Sequence, residues 1–255
     1  MTKSLIVAVG LVIIVAATAI AQTPKQNQIL FDFRLDKRGA EAKIPVSTQR
    51  TVLSKVFRKY LTDESKCNSQ FDPGNTDDYL KALRNAGQIV PTIVDVANGS
   101  FTAAAQTQTA YLISVNECGA SHAENYGSKR MAIFSGDKLV ADVDLNFKSS
   151  ILRKTDLNSD GVDELLLMGA DMNQGFIIEM SALVDFRNGR MNVIEDFGQV
   201  LEDACGTAMP GSESTAAVLS YPAGNALGMP KFRIDQYKAT CRRVKTWRFK
   251  STGKL

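Results

Sequence analysis

Residues 164–195 read ELLLMGADMNQGFIIEMSALVDFRNGRMNVIE, and the texture of this stretch decides the fold. The apolar run Leu165–Gly169 reads as a strand. A second run, Gly175–Phe186, is rich in β-branched and aromatic residues. It stops at Arg187-Asn188-Gly189-Arg190, and Met191–Phe197 resumes the pattern. Asn-Gly between two such runs is a strong hairpin signal, because both residues tolerate positive φ. The stretch therefore predicts an antiparallel meander.

The same texture extends in both directions. Upstream, Ile89–Val96, Ala110–Val115, Arg130–Phe134, Leu139–Asp144 and Ser150–Lys154 read as strands, with a second hairpin turn at Ser135-Gly136-Asp137-Lys138. Downstream, Thr215–Tyr221, Phe232–Tyr237 and Val244–Lys250 do the same. The arrangement repeats: Leu112 stands 54 residues before Leu166, and Phe134 stands 52 before Phe186. A four-stranded unit of that period is similar to a β-propeller blade. Two units are clear and a degenerate third follows, whereas a closed ring needs at least about four. The expected fold is mainly β with a short helical N-terminal part, built of blade-like antiparallel sheets that do not close into a full propeller.

The N-terminal third has a different character. Lys3, the apolar run from Leu5, and Ala19-Ile20-Ala21 form a secretory signal peptide with cleavage expected after Ala21. An uncleaved anchor is the competing interpretation, but the run to Ala21 is at the short limit for a membrane span. Residues 22–46 read as a polar, extended segment, with 22–28 lacking structure. Ser47–Glu64 reads as a helix with Val52, Leu53, Val56, Phe57, Tyr60 and Leu61 on one stripe, and Ser47 or Thr48 as its cap. Lys55, Arg58 and Lys59 lie off that stripe and read as a solvated face. A second short helix, Asp77–Ala86, completes a helical part at 47–88, and 89–255 forms the β domain.

Composition agrees with an ordinary folded chain. Of 255 residues, 44% are hydrophobic and 22% charged, which excludes collagen-like, coiled-coil and wholly disordered classes. The formal charge of +3 demands no nucleic-acid partner. Cys67, Cys118, Cys205 and Cys241 are an even set in an exported chain, which favours two disulfides. Three connectivities exist. Cys67–Cys118 and Cys205–Cys241 are preferred, since each closes a loop within one half of the chain. The expected location is periplasmic or secreted, with no membrane span after cleavage.

One stretch carries chemistry. Residues 155–167 read TDLNSDGVDELLL, with Asp156, Asn158, Asp160, Gly161 and Glu164 at alternating positions. Ca²⁺ takes six to eight oxygens at about 2.3–2.6 Å in loose geometry. Short oxygen-bearing side chains at every second residue converge as the backbone curls, and Gly161 permits the sharp turn. The Val162 carbonyl would point inward, and Glu164 would close the shell. Leu167 stands where an EF-hand places its bidentate Glu, and the flanks read as strands, so an EF-hand is disfavoured.

The pattern instead resembles the calcium loop of the FG-GAP (integrin-α, VCBS-type) repeat, in which D-x-[DN]-x-D-G-x-x-[DE] runs into an apolar strand, here Leu165–Met168. The resemblance covers about 15 residues, and about 50 with the surrounding blade. It implies a Ca²⁺ ion held by Asp156, Asn158, Asp160, Val162 through its carbonyl, and Glu164. The corresponding stretch of the earlier unit, Asn98-Gly99-Ser100-Phe101-Thr102, has no acidic ladder and is expected to be metal-free. The family's Gly-Ala-Pro signature is absent.

Other chemistry finds less support. His122 is the single histidine, so a Ser/His/Asp triad would have to use it, and no G-x-S-x-G elbow is present. The acidic pairs Glu195-Asp196 and Glu202-Asp203 are the candidates for a hydrolase acting on envelope polymers. The basic tail (Lys238, Arg242, Arg243, Lys245, Arg248, Lys250, Lys254), interleaved with Tyr237, Trp247 and Phe249, is the candidate for polyanion binding. The expected function is an exported, calcium-binding, non-enzymatic binding or structural module with a protein or polysaccharide ligand. The envelope-polymer hydrolase and the polyanion binder are the alternatives.

Overall fold

The computed structural model describes residues 27–35, 43–56, 92–115, 128–145, 150–173, 175–207, 212–223, 228–241 and 245–254. The expected signal peptide at 1–21, the helix continuation past Val56, the helix Asp77–Ala86, Cys67, Cys118 and His122 lie outside these residues. In chain order the elements are β1 (Asn27–Asp32), α1 (Val46–Val56), β2 (Thr92–Gly99), β3 (Gln108–Val115), β4 (Ser128–Ser135) and β5 (Lys138–Asp144). β6 (Ser150–Thr155), β7 (Glu164–Asn173), β8 (Phe176–Asp185), β9 (Asn192–Asp203), β10 (Glu213–Pro222), β11 (Arg233–Thr240) and β12 (Arg248–Lys254) follow. The protein is mainly β, its sheets are antiparallel, and neither closes into a barrel or a propeller ring.

Strands β2-β3-β4-β5 form one four-stranded meander. Strands β6 to β12 form a second sheet in sequential order, with β1 added against β10. The two meanders of the sequence repeat, β2–β5 and β6–β9, are thus both present. The third unit is not separate, however. Ser214–Ala216 of β10 pair with Leu201–Asp203 of β9, so the sheet runs on without a break. β9 then leaves β10, because three register shifts in its pairing with β8 bend it away. β1 fills the vacated edge, pairing Asn27–Asp32 with Val218–Pro222. The expectation of an unstructured segment at 22–28 is therefore corrected at Asn27 and Gln28. The Ile29–Phe31 apolar run is too short to announce a strand without its partner. Arg153 of β6 closes the curl from the other side by donating to the carbonyls of Ile29 and Leu30, both at 2.9 Å.

Three cores result from alternation along the strands. Leu165 and Leu167 of β7 face the first meander, with Phe101, Leu112, Met131, Ile133, Val184 and Phe186. Leu166 and Met168 point the other way, into the curl of the large sheet, with Leu30, Phe33, Leu183, Phe197 and Leu219. This explains the unbroken Leu165-Leu166-Leu167 run: β7 is a strand with two dry faces. Each such side chain contributes about 1.5–3 kcal/mol of burial. The third core lies on the outer face of the first meander. There Val52 and Leu53 of α1 cover Ile93, Ile113, Ala132 and Phe134.

Two local expectations need correction. The helix begins one residue before Ser47, and Gln49 N–H donates to the Pro45 carbonyl at 3.0 Å, so neither Ser47 nor Thr48 caps it. Pro45 lacks an N–H and takes the boundary position, where only its carbonyl is used. Lys55 is not merely solvated: its ammonium donates to the Asp137 carbonyl and lies 5.8 Å from the Phe134 ring centroid. The Asn-Gly turn forms as read. Asn188 and Gly189 hold φ of 57° and 72°, and Gly189 N–H donates to the Phe186 carbonyl at 3.0 Å.

Candidate metal centre

The loop between β6 and β7 curls because its own side chains hold its backbone N–H groups. Asp156 Oδ1 accepts from Asp160 N–H at 3.1 Å, and Oδ2 accepts from Gly161 N–H at 2.9 Å. Asn158 Oδ1 accepts from Asp160 N–H at 3.1 Å, and Asp160 Oδ1 from Val162 N–H at 2.9 Å. Such Asx turns are the reason short acidic and amide side chains recur at every second position. Gly161 sits at φ +83°, and a Cβ there would stand 3.1 Å from the Cβ of Ala104. The conformation favours glycine, and the approach of Ala104 leaves little room for a side chain.

The curl gathers charge. Asp156, Asp160 and Glu164 each place a carboxylate oxygen within 4.8 Å of the others. Glu164 is the first residue of β7 and is fully buried. Its Oε2 accepts from Leu157 N–H at 2.8 Å, while its Oε1 is buried with no hydrogen-bond partner. Burial is the main reason its carboxyl titrates at about 7 instead of 4.5. The charges of Asp156 and Asp160 add to this rise, and Leu157 N–H and Arg187 oppose it. Desolvation also acts on Asp160, but donors from Val162, Arg187 and Asn158 outweigh it and hold that carboxyl below its ordinary range.

Neighbouring loops brace the site. Asp163 Oδ2 accepts from Ser100 N–H at 2.8 Å, and Asp163 N–H donates to the Ser100 carbonyl at 2.6 Å. The acid-free stretch Asn98–Thr102 thus serves the loop as a buttress. Asn188 N–H, in the β8–β9 turn, donates to the Thr102 carbonyl at 3.2 Å. From that turn Arg187 reaches into the cluster, pairing through Nη2 with Asp160 Oδ2 and through Nε with Asp185 Oδ2 at 3.1 Å.

The residues present fit a hard divalent cation. Oxygens about 2.3–2.6 Å from a shared ion lie at most ~4.6–5.2 Å apart, which the carboxylate spacing satisfies. The cluster offers carboxylate oxygens, which suit Ca²⁺ or Mg²⁺ better than softer metals. Of the residues expected from sequence, Asp156, Asp160 and Glu164 come together. Asn158 is in the loop, with its Nδ2 donating to Asp160 Oδ2 at 2.7 Å. Val162 buries its side chain. Arg187 and Ser100 escaped the sequence reading, because their contacts with the loop join segments distant in the chain, and Asp185 is tied to the loop through Arg187.

The other candidates are placed elsewhere. Cys205 and Cys241 form the expected disulfide. Asp203 accepts from Lys245 Nζ at 2.5 Å, Ser214 Oγ at 2.7 Å and Cys205 N–H at 2.9 Å. Desolvation opposes these donors, but together they hold its carboxyl below the ordinary range. Glu202 accepts from Gln199 and Asp196 from Gly198 N–H. In the tail, Trp247 packs against the core within the large sheet, whereas Phe249 is exposed and stacks edge-on against Tyr237 at 5.7 Å. Lys238 pairs with Glu213 and Lys245 with Asp203. Among the described residues, no helix is long and apolar enough to cross a membrane. No protein-family model, no curated protein and no solved structure matches the chain.

Proposed function

We propose that the β6–β7 loop is a structural Ca²⁺ site in an exported, non-enzymatic binding or structural module. The observation that carries this reading is Glu164: a fully buried carboxylate, with Oε1 lacking any partner, set beside Asp156 and Asp160. A buried charge with one oxygen left unpaired is costly unless something neutralises it, and a divalent cation would do so. Asp156, Asn158, Asp160, the Val162 carbonyl and Glu164 would hold the ion. Ca²⁺ would supply charge neutralisation and a fixed loop. The FG-GAP-like spacing of these residues supports the same ion.

Export rests on the basic, apolar and A-x-A pattern of residues 1–21 and is consistent with the Cys205–Cys241 disulfide. A periplasmic or secreted location would supply the calcium. The ligand proposed for the module is a protein or polysaccharide. The test of the site is thermal unfolding of the mature chain with Ca²⁺ and with EDTA, beside Asp160→Ala. A stabilisation by Ca²⁺ of about 2.7 kcal/mol at 100 times the dissociation constant is expected for the wild type only. Equal unfolding in both conditions would make the loop an ordinary polar turn.

A further inference from the structure

Arg187 lies 27 residues beyond Asp160 in the chain, yet its guanidinium contacts that carboxylate directly. It stands on the β8–β9 turn, which is independently anchored to the loop at 100–107 through Asn188 N–H and the Thr102 carbonyl. Asp160 Oδ2 receives two N–H donors, from Arg187 Nη2 and from Asn158 Nδ2. Both donors engage a carboxylate that belongs to the acidic cluster. The guanidinium has a second anchor in Asp185, reached by its Nε at 3.1 Å. Asp185 is itself fixed by Asn192 Nδ2, at 2.7 Å from its Oδ1. The Arg187 side chain is about one-third exposed, so it has room to swing away from Asp160 while keeping Asp185.

We propose that Arg187 is a tethered counter-cation that competes with the divalent ion for Asp160, so that ion binding exchanges one positive charge for another. This rests on the Ca²⁺ reading of the loop. It adds that the site is weakened by its own chain, and that the β8–β9 turn takes part in binding. In the ion-free protein the arginine and the Asn158 amide both donate to the Asp160 carboxylate. On binding, the guanidinium withdraws to Asp185 and the Asn158 amide must turn its oxygen inward. A fixed positive charge next to a divalent ion, partly exposed to water, lowers the affinity by about tenfold or more.

The experiment is calorimetric titration of Ca²⁺ into the wild type, Arg187→Ala and Asp160→Ala, with thermal unfolding of each in EDTA and in Ca²⁺. The expected result has two parts. Arg187→Ala binds Ca²⁺ about tenfold more tightly than the wild type. It also melts lower than the wild type in EDTA, so its calcium-induced rise in melting temperature is the larger. Unfolding in EDTA shows whether the variant is folded before the affinities are compared. Equal or weaker binding by Arg187→Ala, with the wild type binding, overturns the competition while leaving the site intact. Binding by neither protein overturns the site itself.

Discussion

Replacing Glu164 by Gln isolates the cost of the buried charge. In calcium-free protein, the displacement of this carboxyl from 4.5 to about 7 costs about 3 kcal/mol of folding free energy at pH 7. The sign follows from proton counting. Between these two values the unfolded chain has released a proton that the folded chain keeps, so stability falls as the pH rises through the window. Below pH 4.5 the penalty is absent, and above about 7 it is complete. Gln keeps the shape: its oxygen can accept from Leu157 N–H, and its NH₂ can donate toward Asp156 and Asp160. Glu164→Gln in EDTA at pH 7 should therefore be more stable than the wild type by up to about 3 kcal/mol, or roughly 6–12 °C in melting temperature for a chain of this size. At pH 4 the two should unfold together. In Ca²⁺ the order should reverse, because Gln cannot supply the charge that the ion needs. The assay is thermal and urea unfolding of both proteins at pH 4, 5.5 and 7, with EDTA and with Ca²⁺. A variant less stable than the wild type in EDTA at pH 7, with wild-type stability flat from pH 4 to 7, would refute the reasoning.

Other perturbations test the frame around the site. Gly161→Ala places a Cβ at φ +83° and 3.1 Å from Ala104, and should cost about 1–3 kcal/mol in urea unfolding; an unchanged midpoint would contradict the strain. Reducing Cys205–Cys241, which spans 36 residues, should cost about 4 kcal/mol by the loop-entropy relation, read as a lower melting temperature in dithiothreitol and in Cys205→Ser/Cys241→Ser. Asp203, held below its ordinary carboxyl range by Lys245, Ser214 and Cys205 N–H despite desolvation, contributes stability present above that ordinary range and lost as the pH falls through its depressed value. Asp203→Asn should accordingly be less stable at neutral pH and flatten the acid limb of the stability profile; an unaltered limb would count against that network.

What could be read in the sequence was what neighbouring residues decide among themselves. The Asn188-Gly189 turn needs only two residues that tolerate positive φ, and it forms as expected. The spacing Asp156, Asn158, Asp160 is local for the same reason: each side chain bonds a backbone N–H two to five residues on. The Leu165–Leu167 run signalled an apolar strand, but not the two separate cores that those residues enter. What stayed hidden depends on distant partners. β1 is a strand only because β9 bends off β10 and leaves an edge. Arg187 reads as one polar residue of a hairpin turn, and nothing in its neighbourhood points to Asp160. Asn98–Thr102 stands out in sequence only by lacking acidic residues, whereas its role is played by backbone groups of Ser100 and Thr102, which any sequence could offer. Phe249 and Trp247 looked alike as aromatics on one strand, yet only Trp247 meets the core. The propeller-like repeat described the meanders correctly and failed at β9–β10, where direct hydrogen bonding joins what the repeat would separate.

The most direct measurement of the central claim is calorimetric titration of Ca²⁺ into the calcium-free mature protein at pH 7.5, with Glu164→Gln and Asp156→Asn as companions. One ion per chain should bind the wild type, with affinity falling as the pH is lowered through 7, and neither variant should bind measurably. No heat of binding in the wild type, or unchanged binding in both variants, would contradict the assignment of the β6–β7 loop as a metal centre.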